Sequence, residues 1–190
     1  DAMAAKLAGI AKETGALYVY TLTPGVDGMP SFDGESGKDG SYLITVDGCD
    51  DPDDWATDYG WEVQFTEAWE GATATARSAW VNDEVGDNHD ICWSAFAPVY
   101  DSEGNVVCIL GIDYPCADVL NDYPEWNRDA GEDVWNGFED EITGEVPTAV
   151  ADMRQMVTDY ATKAAAQLSG QMTWADQYVA LLASGEARDF

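Results

Sequence analysis

Asp113 closes a continuous apolar run, Val106 to Ile112. Runs of that kind belong to strands covered on both faces, so an ionisable side chain at the end of one is costly and needs a partner. A small molecule with a cationic or hydrogen-bond-donating group would supply one; the alternatives are a backbone turn capped by the carboxylate and a pairing with a nearby Arg. The preceding apolar run begins at Trp93 and Ser94 and is joined to the first by Asp101-Ser-Glu-Gly-Asn105. That loop has the composition of a short hairpin connection, in which Asp and Ser bond their own backbone and Gly104 takes positive φ. With Val99 facing Val106 across the turn, Ser94 falls opposite Gly111 and Cys92 opposite Asp113, all on one face of the sheet. Asp113 then shares its face with small groups that leave room for a ligand. Tyr18 and Tyr20 alternate along an earlier strand and Tyr42 heads the next, so their rings line either a pocket or the core, and Trp80 and Trp93 are open to the same two readings.

Other chemistries find less support. His89 is the only histidine, and neither a Gly-x-Ser-x-Gly elbow nor a phosphate-cradling loop accompanies it. The run Asp50-Asp-Pro-Asp-Asp54 offers hard oxygen ligands for calcium but lacks EF-hand spacing, and a solvated acidic loop accounts for it better. No catalytic group, metal or cofactor is expected. Cys49, Cys92, Cys108 and Cys116 contain no Cys-x-x-Cys pair, which argues against a zinc knuckle or a dithiol redox motif; disulfides and buried thiols are both open.

The elements that would position these residues are legible as pattern. Met3, Leu7, Ile10 and Ala11 recur at helical spacing ahead of Gly15, and residues 17–22 follow as a β-branched and aromatic strand. Residues 42–46 form a second strand, and residues 63–71 a short helix with Phe65, Ala68 and Trp69 on one side. With the acidic stretch 50–60 this helix makes a lid. Residues 72–81 read as a third strand and lead into the 93–113 hairpin. Beyond Cys116 the period turns helical. Val150, Met153, Val157, Tyr160, Ala164 and Leu168 recur at three- and four-residue steps between Pro147 and Gly170. Thr173 and Asp176 suggest a capping box for a last helix over 174–183. The order predicts an α+β fold of about five antiparallel strands with an apolar pocket.

Thirty-seven acidic against eight basic residues give a formal charge of -29. Such a surface repels phosphate backbones, so nucleic acid is excluded as a partner. At 46 % hydrophobic residues the chain is too apolar to be a disordered acidic segment. No run of about 18 apolar residues spans a membrane. The chain opens at Asp1, which suggests a mature or excised piece of something longer with its membrane anchor outside the sequence.

Three segments in succession, Leu7-Ala-Gly-Ile-Ala-Lys-Glu-Thr-Gly-Ala-Leu-Tyr-Val-Tyr20, Tyr42-Leu-Ile-Thr-Val-Asp-Gly48 and the hairpin from Ser94 to Asp113, resemble the Cache family of PAS-like extracytoplasmic sensor domains. The resemblance covers residues 7–114. It implies a PAS-like five-stranded antiparallel sheet, an amino-terminal helix leading from a membrane span, and a ligand cupped between sheet and lid. The receptor would be a histidine kinase, chemotaxis receptor or cyclic-dinucleotide enzyme, with homodimerisation through the flanking helices. Residues 1–116 are the expected sensor domain and 117–190 a helical extension longer than the family's simple exit helix. An amino-acid-binding branch of the family uses an Arg, Trp, Tyr and Asp set; Asp113 matches it, and Arg77 and Trp80 are further candidates, but that specificity is not carried over. The expectation is an extracytoplasmic, non-enzymatic sensor that binds a small molecule through Asp113, Tyr20, Tyr42, Trp80, Trp93, Ser94 and Arg77. The rival expectation is an extracellular hydrolase or calcium-dependent adhesion module of a salt-adapted organism.

Overall fold

The computed structural model describes residues 2–24, 42–48, 63–79, 91–123, 126 and 145–171. It mixes helices with antiparallel sheet, the α+β arrangement that the change of period implies. Helix α1 (Ala2–Thr14) leads into β1 (Tyr18–Pro24), which pairs with β2 (Tyr42–Asp47). Helix α2 (Val63–Trp69), β3 (Ala74–Ala79), β4 (Ile91–Tyr100) and β5 (Val106–Pro115) follow, then the one-turn α3 (Ala117–Leu120) and the long α4 (Thr148–Leu168). The sheet order is β2-β1-β5-β4-β3. The β4–β5 hairpin therefore occupies the middle, and its long apolar runs are apolar because both faces are covered.

One face carries Leu7 and Ile10 of α1 and Val150, Met153, Val157, Ala161, Ala164 and Leu168 of α4, packed on Val19, Ala95, Ala97, Cys108, Leu110 and Ile112. The other face is smaller and aromatic: Phe65 and Ala68 of α2 rest on Tyr20, Leu22, Tyr42, Phe96 and Ile109. Alternation along each strand sorts these sets, since successive side chains leave a strand on opposite sides. Helix α4 is fixed at its carboxyl end to the end of β4. The Tyr100 N–H donates to Ser169 Oγ at 3.1 Å, and the Gly170 N–H donates to the Tyr100 carbonyl at 2.6 Å. The helix 174–183 expected from the capping box lies outside the described residues. No helix among the described residues is long and apolar enough to cross a membrane.

The hairpin register differs from the expected one. Val99 pairs with Cys108 and Tyr100 with Val106, with an irregularity between Val99 and Tyr100, so Ser94 stands opposite Asp113, Phe96 opposite Gly111 and Cys92 opposite Pro115. An irregularity of this kind lets two residues of one strand face one of the other, which turn composition does not reveal. The shift along most of the hairpin is two residues, which preserves the face and changes only the partner.

The loop itself is organised by Asp101. Its Oδ1 accepts the backbone N–H groups of Glu103 at 2.8 Å and Asn105 at 2.9 Å, and its Oδ2 accepts the Asn105 amide at 3.0 Å. Gly104 takes φ 89°, a left-handed conformation that side chains disfavour. The Asn105 side chain first, and then the backbone N–H groups of the loop, hold the Asp101 carboxyl below its ordinary range. A depressed folded-state value means that the contribution is present at neutral pH and is lost as pH falls through it. Asp101→Ala is accordingly expected to speed amide exchange at Glu103 and Asn105 at pH 7. At a pH low enough to protonate Asp101, the unmodified chain and the variant should exchange alike at these two amides.

Candidate ligand-binding site

Asp113 sits near the end of β5, between β1 and β4, and is 6 % exposed. Tyr18 of β1 and Ser94 of β4 are its direct register partners, and Ala76 of β3 extends the same row. The Ser94 hydroxyl, itself 3 % exposed, donates to Asp113 Oδ1 at 2.6 Å, and the Tyr20 hydroxyl donates to the same oxygen at 3.3 Å. The Asp113 carbonyl accepts the Leu17 N–H at 2.9 Å. Two hydroxyls converging on one carboxyl oxygen give this buried polar group its hydrogen-bond partners. Asp113, Ser94 and Tyr20 thus form one group, assembled from three neighbouring strands.

Tyr20 reaches Asp113 because Gly111 is its register partner. A Cβ placed on Gly111 would stand 2.6 Å from Tyr20 Cζ, so the ring lies in the space a side chain would occupy. Gly111 is not among the site residues that the sequence pattern picks out. The signal for it was present: a glycine inside an otherwise apolar strand marks a close approach.

Tyr42 shares the aromatic cluster with Tyr20. Its ring meets Phe65 edge-on at 5.3 Å, and Phe65 meets Phe96 at 4.7 Å. Burial pushes the Tyr42 phenol up from its ordinary value, against the lowering effect of a hydrogen bond with Thr66. Tyr42 pairs with Pro24, at the end of β1 opposite to Tyr18, so it stands at the far end of the sheet from Asp113 and is not brought to the carboxylate. Phe96, the register partner of Gly111, carries this aromatic cluster to the row next to Asp113.

Trp93 is not brought to this group. It lies 1 % exposed in the core under α4, on the opposite side of the sheet from Ser94 and Asp113, with the Arg154 guanidinium 5.5 Å from its ring centre. Adjacent residues of a strand leave on opposite sides, so Trp93 and Ser94 are separated by the sheet itself. Arg77 pairs in register with Trp93, one step away from the Ala76–Ser94–Asp113 row. Trp80, His89, Cys49 and the 50–54 acidic run lie outside the described residues. The ends of β2 and β3 and the starts of β1 and β4 lie at the Asp113 end of the sheet.

Among the described residues no group of three or more His, Cys, Asp and Glu is placed to hold a metal. Cys92, Cys108 and Cys116 are buried thiols, and burial pushes the Cys108 thiol well above its ordinary value, which keeps it protonated and unreactive. No protein-family model matches the chain, and no match to a curated protein was found.

Proposed function

We propose that this chain is a PAS-like, Cache-type sensor domain: the extracytoplasmic, non-enzymatic input module of a membrane receptor. It takes a small molecule on the α2 side of the sheet, and ligand contacts that differ between two helix arrangements shift their populations. The membrane anchor lies outside this chain. The observation that carries the reading is the buried Asp113 carboxylate, held by Ser94 and Tyr20 with Phe96 in the next row of the same face. An apolar residue would serve packing at lower cost, because a carboxyl group buried on a central strand carries a desolvation penalty. The sheet order and the two-sided helical cover support a PAS-like arrangement. The ligand class that suits the site is a small organic donor, cationic or rich in N–H and O–H groups.

Charge supports the partner reading. Helices α1 and α4 carry four of the eight basic residues and three of the 37 acidic ones. Two chains of formal charge -29 repel each other less across these two near-neutral helices than across acidic surface, which favours a homodimer through them, and the same charge disfavours nucleic acid.

A thermal-shift screen of amino acids, carboxylates, amines and purines tests the reading. At a concentration 100-fold above Kd, a ligand adds about 2.7 kcal/mol of stability, and at this chain length each kcal/mol is worth about 2–4 °C in Tm. Asp113→Asn should weaken the hits by about 10-fold or more, the value of a hydrogen bond to a charged group. Hits that stabilise Asp113→Asn as much as the unmodified chain would place the site elsewhere.

A further inference from the structure

The two hydroxyls on Asp113 Oδ1 are not equivalent. Ser94 is held at 2.6 Å, short for a hydrogen bond, whereas Tyr20 stands at 3.3 Å, near the long limit. A donor from a ligand displaces the longer bond at the lower cost. Ser94 belongs to β4, on the side of β5 away from α1, but Tyr20 belongs to β1, which α1 feeds directly.

Two further contacts join Tyr20 to that helix. Tyr20 pairs in register with Asp47, and the next residue, Gly48, donates its N–H to the Val19 carbonyl at 2.9 Å. A Cβ on Gly48 would lie 2.6 Å from Leu7 Cβ and 2.8 Å from the Ala8 nitrogen. The α1 backbone thus rests directly on Gly48, with no side chain between to absorb a shift. The ring of Tyr20 is likewise seated on bare backbone at Gly111, so its displacement bears on β1 and not on a yielding side chain.

We infer that the Tyr20 hydroxyl is the relay between the Asp113 site and α1, and that Gly48 is the seat through which β1 and β2 move the helix. Tyr20 acts here as a positioning residue. The inference rests on the reading of Asp113 as the ligand contact, but its test needs no ligand. A screen without hits therefore counts against the binding reading alone.

The experiment compares amide exchange in α1 with that in α4 for the unmodified chain, Tyr20→Phe, Ser94→Ala, Gly48→Ala and the Gly48→Ala/Tyr20→Phe double variant. Loss of one net hydrogen bond corresponds to about a 5-fold change in a local opening equilibrium. Tyr20→Phe should speed exchange in α1 by about that factor relative to α4, while Ser94→Ala, which removes a donor from the same oxygen, should leave the ratio within about two-fold. With the seat altered by Gly48→Ala, adding Tyr20→Phe should change the ratio by less than about two-fold. Equal responses to Tyr20→Phe and Ser94→Ala, an unchanged α1 ratio, or full additivity in the double variant would each overturn the relay. Should Gly48→Ala fail to fold, the comparison of Tyr20→Phe with Ser94→Ala decides by itself.

Discussion

Gly111→Ala is expected to destabilise the chain by about 1–3 kcal/mol, the usual cost of forcing an extra methyl into a filled core. At this length that lowers Tm by about 2–12 °C. In a regular strand the same change would be neutral or favourable, because glycine loses more conformational freedom on folding than alanine. Here the new Cβ would stand 2.6 Å from Tyr20 Cζ, and the Tyr20 ring is itself buried. The ring must leave its seat, and its hydroxyl then leaves Asp113. The cost should therefore depend on Tyr20. In a Tyr20→Ala background, Gly111→Ala is expected to cost less than about 0.5 kcal/mol, within the range of independent sites. Urea unfolding of the four chains measures the difference, and an equal cost in both backgrounds would show that the ring is not seated on Gly111.

The parts of this fold that could be read from sequence are those set by period and by local turn chemistry. Val150, Met153, Val157, Ala164 and Leu168 repeat at the spacing of one helical face, and all five are buried against the sheet. Phe65 and Ala68 at the i and i+3 positions of a short helix are the residues that α2 buries. Asp101 and Gly104 announce the hairpin, and they hold it in the way their types imply. What could not be read is partner choice across strands. The irregularity at Val99 and Tyr100 moves the register by two along most of the hairpin, and it is this shift that sets Ser94 opposite Asp113. The reach of Tyr20 along β5 to Asp113, two residues beyond its own register partner, depends on the depth left by Gly111, which no periodicity reports. The placement of Trp93 was within reach of sequence reasoning: residues 93 and 94 are adjacent in one strand and leave it on opposite sides, so they cannot both line the face of Asp113.

That placement carries the second large effect. Trp93→Ala should cost about 3–5 kcal/mol, the range for removing a large aromatic side chain from a packed interior. Trp93→Phe should behave differently. Among the described residues the Trp93 indole Nε1 is a buried donor without a hydrogen-bond acceptor. An unsatisfied buried donor costs about 1–3 kcal/mol, so exchanging the indole for a phenyl ring removes a penalty while it gives up part of the packing and of the Arg154 contact. The two effects oppose each other and are similar in size, so Trp93→Phe is expected to fall within about 1 kcal/mol of the unmodified chain. Equilibrium urea unfolding of both variants separates them. Because Trp93 faces α4 and Asp113 faces the α2 side, Trp93→Phe should also retain every thermal-shift response that Asp113→Asn loses. A Trp93→Phe variant of full stability with those responses gone would instead bring the ligand to the α4 side of the sheet, and Asp113 would then affect binding only through the backbone between them.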